Sequence, residues 1–380
     1  MITTQSAYRK KPFPEIVHGA ARQQLGEIAQ NALLLLQKSY RRKRRKKLAL
    51  LLPGHNEELI IADTIKSAIA AGQSKNDIYV VDDASSDKTR TIASRLLGKD
   101  HVLTVERSGK ALAVRRAIAH FYLDDCYEWL HVADADSVFS EKYFSIYRDK
   151  LDGQRYAVAV GFVQSLRGNW ISSYRSYVYT YGQHMNRRVQ SWLGMISVLP
   201  GPITAFRTDI LDQIVLSDNS MTEDFDMTLQ IHRKKLGKMV FIPQAINYTQ
   251  DPQSLSDFYK QTMRWFRGFF QGVQQHKVGT KRQRIDLSIG LQLLQVSVLF
   301  LQLFVIFPLV ILLTHRWEII PIAIAVDFIL CCFLVIASAI VSRRWYVVGV
   351  IPYFYVLRAW EILMFYQAFF EVIVLRRYSA

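Results

Sequence analysis

Cysteine is scarce in this chain of 380 residues, which has three: Cys126, Cys331 and Cys332. Two of them, Cys331 and Cys332, stand inside an apolar run, where cysteine behaves as a small buried hydrophobe. So few cysteines, so placed, argue against a disulfide framework and against a cysteine-rich zinc site.

Two common signals are also missing. No segment matches the Gly-x-x-x-x-Gly-Lys-Ser/Thr pattern of a phosphate-binding loop, which argues against an ATPase. The apolar cluster at residues 33–36 is too short and too far along the chain for the core of a signal peptide. We therefore expect the mature chain to begin near Met1.

Acidic residues are outnumbered by basic ones, 32 to 48, which leaves a net charge of +16. Such a charge fits either a nucleic acid or an anionic membrane surface as the partner. Its position favours the membrane, because the basic run at residues 41–47 and other basic residues flank apolar segments. We expect membrane lipid as a partner and no nucleic acid.

Hydrophobic patterning divides the chain into three parts. Residues 1–47 predict an amphipathic helix at 14–38 followed by the basic run, and this helix could pack on the next domain or lie at a membrane interface. Residues 48–275 predict an α/β domain. Residues 276–380 predict a transmembrane region of about three helices.

The α/β prediction comes from short β-rich runs that alternate with helical patterns. The predicted strands are residues 48–52, 78–81, 102–105, 129–132 and 158–163. Such alternation indicates a mainly parallel sheet flanked by helices, and ligands of open sheets bind outside the carboxyl ends of the strands. The polar clusters that follow the strands are therefore the candidate site.

Three apolar segments, residues 287–313, 319–340 and 345–375, are each long enough to cross a hydrocarbon core, which takes roughly 20 residues. Basic residues in the adjoining loops put the α/β domain on the cytoplasmic side of a multi-pass plasma (inner) membrane protein. The third segment holds Arg358 and Glu361, which are spaced to pair with each other. Whether it spans the membrane or lies in the interface stays open.

Acidic residues cluster after three predicted strands. Glu57 follows the first strand, and Asp82 and Asp83 end the second, where they could hold a base and a ribose; an Asp-Asp-x-Ser turn is also a common helix cap. Asp134 and Asp136 follow the fourth strand. Paired carboxylates suit Mg²⁺, which takes one or two of them together with substrate phosphates, although Asp-x-Asp is also a frequent chance pattern.

Three further groups are candidates, each with a structural alternative. Lys110 could reach a diphosphate or be a solvated lysine at a helix start. Asp224 could cap a helix or interact with its dipole. Arg264 beside Trp265 could be an interfacial anchor before a membrane segment.

The order of these motifs resembles the processive family 2 glycosyltransferases of the GT-A fold, namely the cellulose, chitin, hyaluronan and poly-N-acetylglucosamine synthases. The resemblance covers roughly residues 48–268. The matching motifs, in chain order, are Pro53 to Glu58, Val81 to Asp83, Gly109 and Lys110, Asp134 to Asp136, Gly201 and Pro202 with Arg207, Thr222 to Asp224, and Gln261 to Trp265.

The resemblance implies a Rossmann-like GT-A domain on the cytoplasmic side, with interface helices, followed by the transmembrane region. It implies a metal-dependent, inverting hexosyltransferase. The donor would be a UDP-sugar, with UDP-N-acetylglucosamine or UDP-glucose favoured. The acceptor would be a growing β-linked saccharide.

The resemblance also implies roles for residues at the donor. Asp83, with Asp82 and Glu57, would hold the uridine. Asp134 and Asp136 would bind Mg²⁺ or Mn²⁺, a Lewis acid for the departing diphosphate.

The remaining roles concern the transfer itself. Lys110 and Arg264 would add positive charge at the leaving group. Asp224 would be the general base that takes a proton from the acceptor hydroxyl. Trp265 would stack on the acceptor sugar. Three more residues would arrange it: Gln261, Thr222 and Glu223.

The chain departs from the family pattern in its membrane segments. Family members commonly carry membrane helices before the catalytic domain, and three spans are few for a polymer channel. A short oligosaccharide product and single-step transfer to a membrane lipid or glycolipid acceptor therefore stay open. A separate alternative is a non-catalytic membrane-bound scaffold that binds nucleotide sugars. A homo-oligomer or an export partner could complete an export path.

Overall fold

The computed structural model describes residues 45–153, 156–216, 220–315 and 317–377. The predicted helix at residues 14–38 lies outside the described residues. So do residues 41–44 of the basic run.

One sheet of eight strands forms the centre of the α/β domain. The strands are β1 Lys46–Gly54, β2 Ile78–Asp83, β3 Val102–Val105, β4 Tyr127–Val132, β5 Val138–Phe139, β6 Tyr156–Ser165, β7 Thr204–Arg207 and β8 Lys238–Thr249. Their order is β3-β2-β1-β4-β7-β6-β8-β5. The pairs β1–β2, β1–β4, β2–β3 and β6–β8 are parallel, while β7 runs antiparallel to both neighbours and β5 antiparallel to β8. The predicted strands and the mainly parallel sheet are confirmed, and β5, β7 and β8 are additional.

The α-helices follow the same alternation. They are α1 Ile61–Ala70, α2 Thr89–Leu97, α3 Lys110–His120, α4 Leu123–Cys126, α5 Tyr143–Leu151, α6 Trp170–Tyr181, α7 Arg188–Leu193, α8 Glu223–Lys234, α9 Leu255–Gln275, α10 Arg284–Leu301, α11 Phe307–Thr314, α12 Ile319–Ser342 and α13 Phe354–Phe369.

The sequence of β1 explains why the sheet lies between two helical layers. Leu50 and Leu52 pack into a core with α1, α2 and α5, whereas the alternate residues Ala49 and Leu51 pack into a second core with α3. Successive side chains of a strand point to opposite faces, so an uninterrupted apolar run needs cover on both faces. The sheet is therefore buried on both faces, and its strand ends are left to form a site.

The C-terminal helices pack against the α/β domain through α6 and α9, which share an apolar core with α12 and α13. Two stretches, Ile320–Ser342 and Trp345–Val374, are helices long and apolar enough to cross a membrane. Large apolar side chains on the first of them, such as Ile322, Ile329 and Phe333, are more than half exposed. Exposed apolar surface of this extent is typical of contact with lipid or with another protein.

Residues 284–314, which include the first predicted span, form α10 and α11 joined by the π-helical turn Gln302–Ile306. That this segment crosses the membrane stays a prediction.

The predicted pairing of Arg358 with Glu361 is wrong. A guanidinium nitrogen of Arg358 lies 3.5 Å from a carboxylate oxygen of Asp327 on α12. Glu361 instead lies 3.5 Å from a guanidinium nitrogen of Arg175 and accepts a 2.6 Å hydrogen bond from the hydroxyl of Tyr174, both on α6. Each charged group has a partner on a neighbouring helix, and tertiary packing overrides the local spacing of three residues.

Candidate active site

The predicted acidic clusters lie at one edge of the sheet. Glu57 follows β1, Asp82 and Asp83 end β2, and Asp134 and Asp136 follow β4. Because β2, β1 and β4 are parallel neighbours, their carboxyl ends meet at the same edge. The sheet order thus brings together three motifs that are far apart in the chain.

Asp83 holds the loop that leads to α3. Its carboxylate accepts hydrogen bonds from the backbone N–H groups of Ser108, at 2.8 Å, and Gly109, at 3.0 Å, and lies 3.1 Å from a guanidinium nitrogen of Arg107. Asp82 accepts from the backbone N–H of Ser85 at 3.3 Å, and both aspartates are buried. These carboxylates therefore shape the loops of the predicted nucleoside site.

The structure does not support the alternative that Asp82 or Asp83 caps a helix. Asp87 accepts from the backbone N–H of Thr89, the first residue of α2, at 2.9 Å, while the N-cap residue of that helix is Lys88, whose side chain makes no capping hydrogen bond. The same carboxylate accepts from the N–H of Glu58 at 3.0 Å and so ties the turn after β1 to the turn after β2.

Lys110 lies at the centre of the charged site. Its ammonium nitrogen is 2.5 Å from Asp134 Oδ1 and 3.5 Å from Glu223 Oε1. Burial alone would lower the pKa of Lys110, but Asp134, Glu223 and Asp224 together raise it above its usual value. The lysine therefore stays charged among carboxylates that reach it from β4 and from α8.

A glycine makes room for this lysine. A Cβ on Gly201 would lie 3.0 Å from the ammonium nitrogen of Lys110, closer than most real Cβ contacts, so a side chain here would displace it. The Gly-Pro motif quoted above thus has a steric reason at its first position. Arg207, the last residue of the same motif, forms an ion pair with Asp209, and its Nε lies 2.6 Å from Asp209 Oδ1.

Asp136 and Glu57 have raised pKa values for a shared reason. Burial, and after it the charge of Asp134, raise the pKa of Asp136 to about 6. Burial, and after it Asp136 and Asp134, raise the pKa of Glu57. Like charges crowded at one place destabilise one another unless a cation joins them.

The donor set fits a divalent cation that also binds phosphate. Within residues 45–377, as far as they are described, no three His, Cys, Asp or Glu side chains are grouped to hold a metal by themselves. Mg²⁺ usually takes only one or two carboxylates and completes its shell with water and phosphate oxygens. Asp134 and Asp136, crowded and half-buried, meet that requirement.

Asp224, the predicted base, is the second residue of α8. Its pKa is raised to about 6, mainly by burial and then by the charges of Glu223 and, more weakly, Asp134, while the N–H of Phe225 and the charge of Lys110 act in the opposite direction. The N–H of Phe225 donates to Asp224 Oδ1 at 2.8 Å and so fixes the carboxylate. A carboxylate with a pKa raised toward neutrality is suited to accept a proton.

One cavity of about 910 Å³ joins these groups. Its lining contains most of the predicted site: Lys110, Asp134, Asp136, Thr222, Glu223, Asp224, Gln261, Arg264 and Trp265. Glu57, Asp82 and Asp83 belong to the adjoining strand ends. Asp136 and Asp224 thus open into the same space, although they are far apart in sequence.

Two glycines let the start of α8, which contains the predicted base, pack against α9, the helix that contains Trp265. A Cβ on Gly268 of α9 would collide with the side chain of Thr222, and one on Gly272 would lie 2.6 Å from the ring of Phe225. Glycine at these positions, one turn apart, lets α9 approach the start of α8.

Arg175 was not predicted from the sequence, yet it holds the predicted acceptor residues. It is buried on α6, and its guanidinium carbon lies 4.7 Å from the ring centre of Trp265. It donates to Thr262 at 2.6 Å and to Gln261 at 3.4 Å, both on α9. With its contact to Glu361, it joins α6, α9 and α13.

Arg187, which lines the cavity, is a second residue that sequence reasoning missed. It lies in the π-helical turn Gly182–Arg187, a rare form of helix that is often found at functional sites. Burial lowers its pKa to about 10, and Asp224 and Tyr147 oppose this. Neither a motif nor periodicity marks it in the sequence, because a π-helical turn has no simple pattern.

The cavity extends from the charged site to the C-terminal helices. Its far wall is apolar and comes from α10 and α13, with Leu293, Val296, Ile362 and Phe365. Arg358 and Glu361 line the same part. These two charged groups of the third predicted span therefore face this cavity, as ionisable groups in apolar helices are expected to do.

Comparison with known proteins identifies the family. The model of the family described as glycosyltransferase-like family 2 matches residues 45–268, which is more than half of the chain. The poly-beta-1,6-N-acetyl-D-glucosamine synthase of Staphylococcus aureus is 24% identical over 224 residues, which cover 57% of this chain and 53% of the relative. The synthase of that name from Staphylococcus epidermidis is 25% identical over 246 residues, 63% of this chain and 58% of the relative. The chain thus matches little more than half of the length of these curated relatives.

Solved structures with a similar fold are more distant. The mannosyltransferase PcManGT from Pyrobaculum calidifontis, in complex with GDP-Man and Mn²⁺, has 16% identity and a TM-score of 0.46 over 66% of this chain and 73% of that one. Staphylococcus aureus TarS, in complex with UDP-GlcNAc, has 17% identity and a TM-score of 0.40 over 59% and 67%. Together with the mainly parallel sheet and its flanking helices, the family match confirms the predicted architecture. The chain therefore belongs to glycosyltransferase family 2 and has a GT-A-like fold.

Proposed function

We propose that this chain is an inverting, membrane-bound glycosyltransferase that moves a sugar from a UDP-sugar to a growing β-linked saccharide. The observation that carries the proposal is that Asp224 opens into the same cavity as Asp134 and Asp136. Lys110 interacts electrostatically with Asp134 and with Asp224. A proton acceptor beside a cationic diphosphate site is the arrangement that inverting transfer requires. Similarity to poly-beta-1,6-N-acetyl-D-glucosamine synthases favours UDP-N-acetylglucosamine over UDP-glucose as the donor.

At the donor end, the strand termini would form the nucleoside pocket. Asp82 and Asp83 are buried and hold backbone N–H groups, so they would shape the loops around the uridine. Glu57 is half-buried and would be accessible for direct contact. Asp134 and Asp136 would hold Mg²⁺ or Mn²⁺ against the diphosphate, where the ion, when bound, supplies Lewis-acid stabilisation of the leaving group.

The transfer would be a single displacement. The acceptor hydroxyl oxygen forms a bond to the anomeric carbon while the bond from that carbon to the diphosphate oxygen breaks, and UDP leaves with the electron pair. Asp224 takes the hydroxyl proton, and Lys110 and Arg264 stabilise the charge that develops on the diphosphate. Attack from the face opposite to the leaving group converts an α-linked donor into a β-linked product.

The acceptor would lie on α9. Trp265 would stack on the acceptor sugar, since its indole lines the cavity and Arg175 supports it. Gln261, Thr222 and Glu223 would arrange the acceptor hydroxyl toward Asp224.

We also propose how the chain is placed in the membrane. The helices Ile320–Ser342 and Trp345–Val374 would cross it, and the loop between them contains Arg343 and Arg344. Arg344 donates to the backbone carbonyl of Ser165 in the α/β domain at 2.6 Å, so this basic loop and the domain are on one side. By the positive-inside rule that side is the cytoplasm, which makes the chain a multi-pass protein of the inner membrane.

A second candidate function is single-step transfer to a membrane lipid acceptor. The apolar far wall of the cavity, which α10 and α13 form, favours it, because a lipid chain could lie there beside the charged site. The two functions share the donor chemistry and differ in the product.

The test is to give purified full-length chain labelled UDP-sugars with Mg²⁺, with and without lipid, and to measure product mass. A ladder of additions without lipid supports polymer synthesis, and a single addition that requires lipid supports the second candidate. Asp224→Asn should lower the rate at least about a hundredfold, whereas the exposed control Asp149→Asn should not. No product from the wild type would point to a scaffold that only binds nucleotide sugars, and undiminished product from Asp224→Asn would contradict the role of Asp224 as the base.

A further inference from the structure

A second pocket, of about 690 Å³, lies where the α/β domain meets the loop between the two candidate spans. The described residues that line it are Leu166, Arg167, Tyr248, Arg343, Arg344, Trp345 and Tyr346. Three of these are arginines and none is acidic. The pocket shares no lining residue with the cavity of the candidate active site.

Arg344 forms the fixed part of this pocket. One guanidinium nitrogen donates to the backbone carbonyl of Ser165, at 2.6 Å, and to the hydroxyl of Tyr346, at 3.0 Å. Its guanidinium carbon also lies 4.8 Å from the ring centre of Tyr248. Arg344 is therefore held by the end of β6 and by the aromatic ring of Tyr248.

Arg167 and Arg343 are the open part of the pocket. Both are exposed, and none of the described carboxylates lies within 4.0 Å of either guanidinium. Arg343 follows the last residue of α12 with φ +55°, a left-handed conformation that glycine usually takes at a helix end. A residue with a side chain is strained in this left-handed conformation, and the residue found here is nevertheless a cation.

The pocket also lies at a defined depth. Ile320–Ser342 ends just before Arg343, and Trp345–Val374 begins just after Arg344. If these helices span the membrane, the pocket is level with the lipid headgroups, where Trp and Arg are enriched. Trp345 is 65% exposed, and Ile340 and Val341, just before the pocket, are 58% and 54% exposed. A charged pocket is thus continuous with an apolar surface.

We propose that this pocket binds the headgroup phosphate of an anionic phospholipid, with the acyl chains along Ile340 and Val341. Arginine matches phosphate oxygens with paired N–H donors, and Arg167 and Arg343 have donors to spare. The adjoining apolar surface favours a lipid over a free phosphate, which would leave that surface uncovered. The proposal rests on the membrane placement and not on the identity of the transferred sugar.

The experiment measures lipid retention by the full-length chain in detergent that contains phosphatidylglycerol and phosphatidylcholine, by native mass spectrometry. We expect the wild type to retain phosphatidylglycerol preferentially. The double variant Arg167→Gln/Arg343→Gln should bind it about thirtyfold more weakly, because the loss of each surface cation weakens binding about fivefold and the two factors multiply. The control is Arg95→Gln/Arg115→Gln, which removes two exposed arginines of α2 and α3 and should not change retention.

Two outcomes would overturn the proposal. Equal loss of phosphatidylglycerol from both double variants would mean that net charge alone attracts the lipid. Displacement of the lipid by inorganic phosphate, at concentrations that leave the wild type folded, would mean that the pocket recognises free phosphate. Thermal unfolding of both variants reports whether they fold, so the lipid site is tested independently of the proposed transfer.

Discussion

The central guanidinium carbon of Arg175 lies 4.7 Å from the ring centre of Trp265, within the range of a cation–π contact. The ring centre of Phe258, on the same helix as Trp265, is 4.4 Å from the same carbon. A buried arginine in contact with two aromatic rings of one helix restricts where the indole can lie. The orientation of the proposed acceptor platform thus depends on a residue of α6, outside every motif.

We expect Arg175→Lys to weaken acceptor use specifically. Lysine keeps the charge opposite Glu361 but loses the planar stack and the fork of donors to Thr262 and Gln261. The acceptor KM should rise roughly tenfold, the size of one desolvated cation–π contact, with the donor KM unchanged. Initial rates with each substrate varied in turn measure this, and Arg188→Lys on the exposed side of α7 is the control. Equal changes in both KM values would point to a general loss of structure.

The rate should depend on pH through Asp224. A general base acts as the carboxylate, and the pKa of Asp224 is raised to about 6, so kcat should be constant above that pH and fall below it. The fall should approach about tenfold per pH unit. Because the pKa of Asp136 is also raised to about 6, kcat must be measured at saturating donor and metal, with UDP affinity measured in parallel. A midpoint near 4 would contradict the role of Asp224.

The same pKa predicts a stability difference. The pKa of Asp224 lies above its ordinary value of 3.8 in the folded chain, so ionisation favours the unfolded chain as pH rises from about 4 to about 6. Asp224→Asn removes that penalty and should raise the melting temperature at pH 7.5, while the two proteins should melt alike below pH 4. Thermal unfolding at both pH values measures this, and a less stable Asn variant at pH 7.5 would contradict the prediction.

Asp136→Asn should remove the metal-dependent part of UDP binding. The amide keeps the size of the side chain but loses the charge that a divalent cation needs beside Asp134. Titration calorimetry with UDP should show that the variant loses at least about tenfold in UDP affinity when Mg²⁺ is present and nothing when it is absent. Unaltered UDP affinity in Mg²⁺ would exclude Asp136 as a ligand.

Two glycines in helices offer a matched test of how α8 packs on α9. A Cβ on Gly268 would collide with Thr222, so Gly268→Ala should destabilise the fold by about 1–3 kcal/mol and displace Asp224 from the acceptor platform. Gly290 on α10 has no described atom within 4 Å of an added Cβ, so Gly290→Ala should be neutral or stabilise by up to about 1 kcal/mol. Denaturant unfolding of both variants checks this. Similar changes in the free energy of unfolding for the two variants would contradict the packing argument.

Much of the site could be predicted because its residues stand where strands end. The apolar run of β1 and the Asp-x-Asp after β4 are local patterns, and parallel strands bring their carboxyl ends to one edge by topology alone. The antiparallel insertion of β7 could not be predicted in this way. Its four residues, Thr204–Arg207, are too short to have a recognisable period.

Residues that act through neighbours left no local signal. Arg175 and Arg187 stand in helical segments without a motif, and their roles follow only from which helix packs beside them. The mistaken pairing of Arg358 with Glu361 has the same origin. Local spacing showed that they could meet, while Asp327 and Arg175 on other helices provide their partners.

By itself the sequence determined the family, the mainly parallel sheet, the apolar C-terminal helices and the chemical types at the strand ends, because all of these depend on local periodicity and on motif order. Only the tertiary structure decided that Asp224 shares a cavity with Asp134 and Asp136, that Arg175 supports Trp265, and that the cavity reaches α10 and α13. These are contacts between residues far apart in the chain. They depend on how helices pack on the sheet, which a local sequence pattern does not specify.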